Sequence, residues 1–220
     1  MEKGFGTEDP ALARYVTEVF GAEDALLAEI PVRQAAAGLP DIQLGRLDAL
    51  HLEVLAAAAG AKKAVEIGTL GGYSGVCLLR GMGEGGFLHT FEMDPRHAAV
   101  AAESFRRAGL ESQVRIHVGA AAERLGDIAA EAPFDLVFID ADKVSYPLYL
   151  AWAAEHLRVG GMVLGDNAFL FGLVSGEAVG DDAARIRAMQ AFNATLATGG
   201  RFRATMLPTA EGLAVGVKIR

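Results

Sequence analysis

The sequence has little of what secreted and membrane proteins need. Among its 220 residues there is one cysteine, Cys77, which has no partner within the chain for a disulfide. Uninterrupted apolar runs fall well short of the roughly 20 residues that cross a bilayer. Residues 1–16 also lack the basic-then-apolar pattern of a signal peptide. These absences predict a cytoplasmic protein that does not bind a membrane.

Positive charge is also scarce. The chain has 20 Lys and Arg against 28 Asp and Glu, which gives a formal net charge of -8. Binding to nucleic acid or to anionic lipid depends on clustered Lys and Arg, so we expect neither partner. The 52% of hydrophobic and 22% of charged residues are typical of one globular domain with a full core. A small molecule is the expected partner.

The pattern of apolar residues predicts an α/β fold. From about residue 62, short apolar runs alternate with amphipathic segments, as in repeated βα units. Predicted parallel strands occupy 63–67, 87–92, 114–118, 134–140 and 160–166. Predicted helices lie near 73–82, 96–108, 121–131, 146–157 and 181–197. Two further runs, 202–207 and 213–219, flank PTAEG and predict an antiparallel hairpin at the sheet edge.

The N-terminal quarter differs from this core. Within a single domain spanning 1–220, we interpret residues 1–58 as a helical cap on the α/β core at 62–220. Its helices, from about residue 8, are expected to break near Pro31 and at the GLPD segment 38–41, because proline and glycine disfavour helix interiors. Such a cap would cover the sheet or a partner subunit.

A glycine-rich turn follows the first predicted strand, in AVEIGTLGGYSG at 64–75. It lacks the G-x-G-x-x-G dinucleotide fingerprint and the Gly-Lys-Ser/Thr of a phosphate-binding loop, so phosphate is not its obvious ligand. Glu92 ends the next strand at roughly the 20-residue offset where an acidic side chain takes both hydroxyls of a ribose. The glycine-rich turn and Glu92 together favour an adenosine ligand, although tight packing alone also explains such a turn.

Two acidic segments end neighbouring apolar runs. FIDADK carries Asp140, Asp142 and Lys143, and VLGDN carries Asp166 and Asn167. If both runs are adjacent parallel strands, their polar ends meet in the crevice where open α/β sheets bind ligands. Oxygen ligands of this kind suit a hard divalent cation. The alternatives are that the aspartates cap the following helices and that Lys143 is a solvated partner of Asp142.

Together these motifs resemble the class I S-adenosylmethionine-dependent methyltransferases, and within them the metal-dependent catechol and caffeoyl-coenzyme A O-methyltransferases. The resemblance covers residues 40–220 and includes the closing MLPTAEGLAVGVKI. It implies a Rossmann-like fold with a mostly parallel seven-stranded sheet, helices on both faces and the C-terminal hairpin. It also implies a homodimer, in which the N-terminal helices commonly complete the acceptor pocket.

The resemblance also assigns roles to individual residues. It places Glu66, Gly68 and Ser74 at the methionine part of the cofactor, Glu92 at its ribose, and Ala120 and Ala121 at its adenine. Near the cofactor it further implies Asp140, Asp142 and Tyr146. The alternatives are a paired structural carboxylate for Glu66 and packing in the core for Tyr146. The implied metal ligands are Asp140, Asp166 and Asn167, and the implied catalytic base is Lys143. Beside two aspartates, Lys143 should behave as an ordinary cation when no metal is bound.

The implied activity is transfer of a methyl group to a catechol-like, vicinal dihydroxy aromatic, with Mg²⁺, or Ca²⁺ or Mn²⁺, as the metal. Phe169 and Phe171 follow the predicted ligands and would suit a flat aromatic acceptor, although an ordinary buried loop explains them equally well. Three alternatives remain at this point. They are a metal-independent methyltransferase of the same fold, a Rossmann-type NAD-dependent oxidoreductase and a non-catalytic adenosine-binding protein.

Overall fold

A seven-stranded sheet forms the centre of the protein in a computed structural model that describes residues 9–21 and 24–220. The strands are β1 (Lys63–Ile67), β2 (Phe87–Glu92), β3 (Val114–Val118), β4 (Phe134–Ile139), β5 (Leu157–Gly165), β6 (Phe202–Leu207) and β7 (Leu213–Lys218). Their order is β3-β2-β1-β4-β5-β7-β6. The first five are parallel, and β7 runs antiparallel to both β5 and β6. The predicted α/β class, the mostly parallel sheet and the C-terminal hairpin are confirmed.

Helices cover both faces of this sheet. They are α1 (Pro10–Phe20), α2 (Ala25–Ala36), α3 (Arg46–Ala58), α4 (Tyr73–Met82), α5 (Pro95–Arg107), α6 (Ala121–Arg124), α7 (Tyr146–His156) and α8 (Ala183–Thr198). Side chains from α2 to α5 form one buried cluster on one face, and those from α6 to α8 form the other. No helix in the described part of the chain is long and apolar enough to cross a membrane.

The predicted N-terminal segment contains the helices α1 to α3, whereas residues 1–8 and 22–23 of it lie outside the described residues. The expected break at GLPD is confirmed, because residues 38–41 are not helical. The expected break at Pro31 is wrong, since Pro31 lies inside α2. An interior proline costs a helix about 3 kcal/mol. Full burial of Leu27 and Ile30 on the same helix offsets this cost.

Two other predicted boundaries are corrected. The helix expected over 121–131 is α-helical only to Arg124, and a 3₁₀ helix continues over Leu125–Glu131. Its buried Leu125 and Ile128 are three residues apart, a spacing that suits the 3₁₀ period. Strand β5 begins at Leu157 instead of residue 160, because Leu157 pairs with Phe134 ahead of an irregularity in the β4–β5 register.

Gly68 fixes the contact between β1 and the end of β4. Its φ is +96°, and a Cβ on it would lie 1.9 Å from the carbonyl oxygen of Asp140. We expect Gly68→Ala to lower the free energy of unfolding in urea by more than about 3 kcal/mol, because it combines a backbone clash with a left-handed φ. Gly109→Ala is the matched control, since Gly109, just after α5, has φ +70° and nothing within 4 Å of the added Cβ.

The control variant should lower the free energy of unfolding by only about 1–2 kcal/mol, because it adds only the strain of a left-handed backbone. Equal losses in the two variants would mean that the approach of Asp140 to Gly68 is not tight.

Candidate active site

A cleft of about 870 Å³ opens at the carboxyl ends of the parallel strands. It lies over the junction of β1 and β4, where the strand order reverses from 3-2-1 to 4-5. Ligands of open α/β sheets bind at such a switch point, and the volume lies in the range of small-molecule sites. Most of the residues predicted from the sequence line it: Gly68, Ser74, Glu92, Ala120, Ala121, Asp140, Asp142, Lys143, Asp166 and Asn167.

The glycine turn forms one wall of the cleft and is held by Glu92. The Glu92 carboxylate accepts backbone hydrogen bonds from Thr69 (3.3 Å) and Leu70 (2.8 Å) through Oε2, and from Asp94 (2.9 Å) through Oε1. Its side chain is only 10% exposed. The acidic residue predicted at the end of β2 therefore reaches the turn after β1 and helps to set its shape.

Glu66 is fully buried beneath this turn and does not line the cleft. Its carboxylate accepts hydrogen bonds from the hydroxyl groups of Ser74 (2.6 Å), Thr69 (2.7 Å) and Thr90 (2.5 Å). Burial raises its pKa, and these hydroxyl donors oppose the rise. Contact with a cofactor was implied for Glu66, but the geometry instead favours a structural carboxylate that supports the turn from below.

An acidic corner of Asp140, Asp166 and Asn167 forms the floor of the cleft beside the turn. The Asp166 side chain lies at the end of β5 and the residue is 4% exposed. Burial, and then the charge of Asp140, raise its pKa to about 7. Asn167 has a left-handed backbone, with φ +52°. Two carboxylates and an amide therefore converge where the predicted metal ligands were expected.

Lys143 lies at the edge of the acidic corner. Its Nζ donates to Asp140 Oδ1 (3.1 Å) and to the hydroxyl oxygen of Tyr146 (2.6 Å), and its side chain is 9% exposed. These two bonds hold the ammonium group in the cleft instead of in bulk solvent. The alternative that Lys143 is a solvated partner of Asp142 is not supported by these contacts.

Tyr146 is fully buried and does not line the cleft, which favours the alternative that it packs in the core. Its hydroxyl lies within hydrogen-bond distance of the carbonyl oxygens of Ile139 (3.1 Å) and Asp166 (2.9 Å). It thus joins the ends of β4 and β5 and supports Lys143 from behind. Tyr149, one helical turn later, lines the cleft in its place and donates to Asp142 Oδ2 (2.9 Å).

The Asp142 carboxylate accepts hydrogen bonds from residues that follow it closely in the chain. Besides the bond from Tyr149, its Oδ1 accepts from the backbone N–H of Ser145 (3.0 Å), so it caps the 3₁₀ turn that begins at Lys143. A carboxylate occupied in this way is poorly placed to be a third metal ligand. Asp142 nevertheless lines the cleft, as expected for a residue near a bound cofactor.

Several lining residues were not predicted from the sequence. The segment 41–45 after α2, together with Gln34 and Asp48, closes the side of the cleft opposite the sheet. Glu211 reaches it from the β6–β7 hairpin. Phe171 lies at the rim and is 65% exposed, whereas Phe169 does not line this cleft. Of these, the segment 41–45 falls within the helical cap, which carried no motif that could reveal it.

Comparison with known proteins shows what kind of enzyme has this arrangement. Residues 17–219 match a protein-family model described as O-methyltransferase. The chain is also 38% identical over 206 residues to a catechol O-methyltransferase of Niastella koreensis. The aligned residues cover 93% of this chain and 90% of that protein. The chain belongs to the O-methyltransferase family. The alternative of an NAD-dependent oxidoreductase is thereby rejected.

Solved structures agree with this O-methyltransferase assignment. An O-methyltransferase of Bacillus cereus in complex with SAH superposes with a TM-score of 0.87 at 35% identity, covering 94% of this chain and 97% of that one. A Streptomyces achromogenes O-methyltransferase involved in tomaymycin synthesis, in complex with SAM, also gives 0.87, at 30% identity and 96% coverage of both chains. The Rossmann-like fold is therefore shared with members of the family that hold these ligands.

Proposed function

We propose that this O-methyltransferase moves the methyl group of S-adenosylmethionine to one hydroxyl of a catechol-like aromatic, with a divalent cation held beside the cofactor. The observation that carries the proposal is the presence of the glycine turn, Glu92 and the acidic corner in one cleft. The ligands bound by the two solved relatives and the catechol O-methyltransferase of Niastella koreensis support it.

The described residues suit the cofactor. The turn at 68–72 lets backbone approach a ligand closely, and Glu92 remains at the cleft wall to meet ribose hydroxyls. Ala120 and Ala121, with their small side chains, line the cleft next to it and leave room for a flat base. Gly68 and Ser74 belong to the wall on the side expected to hold the methionine part.

The acidic corner also suits a cation. Asp166 is buried next to a second carboxylate, an arrangement whose cost Lys143 reduces and a bound cation would reduce further. Within residues 9–21 and 24–220, no three or more His, Cys, Asp or Glu side chains are grouped to hold a metal. The proposed set therefore combines two carboxylates with the Asn167 amide and leaves positions for water and the acceptor, as is usual for Mg²⁺.

Bound Mg²⁺, or Mn²⁺ or Ca²⁺, would supply Lewis acidity that lowers the pKa of an acceptor hydroxyl and fixes its direction. The protein supplies the rest. Lys143 Nζ would receive the phenolic proton, which requires a neutral amine in the working complex. The acceptor oxygen then forms its bond to the methyl carbon as the carbon–sulfur bond breaks. The cleft walls contribute by aligning these atoms and excluding water.

Methyl transfer in the presence and absence of metal tests the proposal. The protein is incubated with S-adenosylmethionine and a panel of catechols, before and after treatment with a chelator. We expect mono-methylated product, loss of turnover in chelator and recovery on addition of Mg²⁺. Full activity in chelator would favour the metal-independent alternative. Stabilisation by S-adenosylmethionine without methylation of any phenol would favour the non-catalytic adenosine-binding protein.

Glu92→Gln should selectively weaken cofactor binding. The amide has a single acceptor oxygen, so it cannot accept the N–H groups of both Leu70 and Asp94 on separate oxygens as the carboxylate does. The amide would also offer the ribose hydroxyls one acceptor oxygen in place of two charged ones, and loss of one such charge-assisted bond to the cofactor corresponds to about a tenfold or greater rise in the dissociation constant of S-adenosylmethionine. Calorimetry measures it, with the exposed Glu123→Gln as control. Unchanged affinity would remove Glu92 from the cofactor site.

We infer further that the enzyme is a cytoplasmic homodimer. In α1, the apolar residues Leu12, Tyr15, Val19 and Phe20 are each at least half exposed. A second copy of the chain would remove such a surface from water. Light scattering coupled to size-exclusion chromatography should give twice the mass of the 23.0 kDa chain. A monomer at micromolar concentration would contradict this part of the proposal.

A further inference from the structure

The loop after β5 holds several residues in a costly backbone conformation. Asn167, Leu170 and Phe171 have φ values of +52°, +48° and +54°. A left-handed backbone costs roughly 1–2 kcal/mol for residues such as Leu and Phe, and asparagine adopts it more readily. Backbone strain of this kind persists only where surrounding contacts determine it. The loop therefore needs specific contacts that keep Asn167 in place.

The residue that follows Asn167 is held from two sides. The N–H of Ala168 donates to the carbonyl oxygen of Gly212 (2.9 Å), and its own carbonyl oxygen accepts from Asn193 Nδ2 (2.9 Å). Ala168 is fully buried. Asn193 belongs to α8. The two contacts fix the two peptide groups that follow Asn167.

Asn193 contributes direction as well as stability. Its Nδ2 donates one hydrogen bond, to the Ala168 carbonyl oxygen, and such a bond contributes about 1 kcal/mol. Its Oδ1 is buried and accepts no hydrogen bond from the described residues. What the side chain provides beyond that one bond is direction, since it fixes the Ala168 carbonyl.

We propose that Asn193 is a positioning residue that orients Asn167 toward the divalent cation. This inference rests on the proposed function, because it takes Asn167 as a metal ligand. Asn193 does not touch the cleft and acts through Ala168. In many metal sites, groups that do not touch the metal hold its ligands in the binding geometry. Loss of such a group typically lowers metal affinity about 10–100-fold.

Helix α8 offers a matched control for this proposal. Gln190 Nε2 donates to the carbonyl oxygens of Val174 (3.0 Å) and Gly176 (3.1 Å), farther along the same loop. Asn193→Leu and Gln190→Leu thus each remove a side-chain amide that holds a loop carbonyl. Only the first of these carbonyls is next to the proposed ligand. A purely structural role predicts similar effects from both variants.

The experiment measures Mg²⁺ binding calorimetrically in the presence of S-adenosylhomocysteine, together with thermal unfolding and steady-state kinetics. We expect Asn193→Leu to raise the dissociation constant of Mg²⁺ by about 10–100-fold. Activity should return toward the wild-type kcat when Mg²⁺ is raised in proportion. Gln190→Leu should keep Mg²⁺ affinity within about twofold. An Asn193→Leu protein that is folded and binds Mg²⁺ like wild type would overturn the inference.

Two further outcomes are decisive. Asn193→Ala replaces Asn193→Leu if the larger apolar side chain prevents folding; if neither folds while Gln190→Leu does, Asn193 serves the fold and the inference is rejected. Wild-type protein that neither binds Mg²⁺ nor needs it for turnover would reject the metal in the proposed function itself. The two failures differ in the wild-type protein. If the metal proposal fails, the wild-type protein does not bind Mg²⁺, whereas if only the inference about Asn193 fails, the wild-type protein still binds it.

Discussion

Asp166→Asn is expected to lower kcat/KM by a factor on the order of 10²–10³ and at the same time to stabilise the metal-free protein. The carboxylate is 4% exposed at the end of β5 and faces Asp140 in the cleft. Because Asp166 is a proposed metal ligand, its replacement removes the Lewis-acid activation by the metal, which is worth several kcal/mol in the transition state. The amide has nearly the same shape, so packing is preserved.

The gain in stability follows from the electrostatics. Burial, with the neighbouring charge of Asp140, raises the pKa of Asp166 to about 7, against about 3.9 for an unfolded chain. The folded state therefore binds this proton more tightly, and stability falls as pH rises from about 4 to above 7. At pH 8 the neutral amide avoids the penalty, and we expect a free energy of unfolding in urea higher by about 1–3 kcal/mol.

Asp48→Asn is the control for the loss of activity. Asp48 also lines the cleft and makes the same change in charge, but it is not a proposed ligand. It should alter Mg²⁺ affinity by only a few fold and leave kcat largely intact. If Asp48→Asn lowers activity as much as Asp166→Asn, the cleft attracts cations by general negative charge and Asp166 is not a specific ligand.

Lys143→Met is expected to lower kcat by about 10²–10⁴-fold, the usual contribution of a general base. Its effect on the KM of both substrates should be small, because the flexible methionine keeps most of the volume of the lysine stem. Rate measurements under saturating Mg²⁺ separate this loss from weaker metal binding. The expected ratio of kcat to KM effects distinguishes Lys143 from Glu92, whose replacement acts on cofactor affinity.

Lys62→Met is the matched control. Lys62 is also a lysine that donates to protein oxygens, the carbonyls of Met82 and Glu84 (both 2.8 Å), but it precedes β1 at the opposite end of the sheet. This variant should keep kcat within about twofold of wild type, even if it unfolds at a lower temperature. Retained activity in Lys143→Met would show that the acceptor loses its proton without this amine.

The acidic corner could be predicted from the sequence because of a simple geometric rule. Asp140 and Asp166 each follow an apolar strand, and neighbouring parallel strands end at the same edge of a sheet. Glu92 followed from the same rule together with its spacing from the glycine turn. Side chains that come from other layers were beyond this reasoning. Asn193 and Glu211 reach the loop after β5 only through the packing of α8 and the hairpin.

The two tyrosines of α7 show the same limit. Tyr146 and Tyr149 are three residues apart and lie on nearly the same helical face, so the sequence could not tell which one meets the cleft. Docking of α7 against the sheet decides it. Tyr146 lies between the ends of β4 and β5, and Tyr149, which is also buried, lies beside Asp142 and lines the cleft.

The pinning of Ala168 by Gly212 bears on how the enzyme is made. The five parallel strands and the acidic segments leave the ribosome before the hairpin, and β7 must then enter the sheet between β5 and β6. Until it does, the backbone beside Asn167 lacks the carbonyl group that anchors it. A nascent chain with its parallel strands already paired therefore still lacks this anchor beside the proposed metal ligand. The backbone around Asn167 is completed only when β7 joins the sheet.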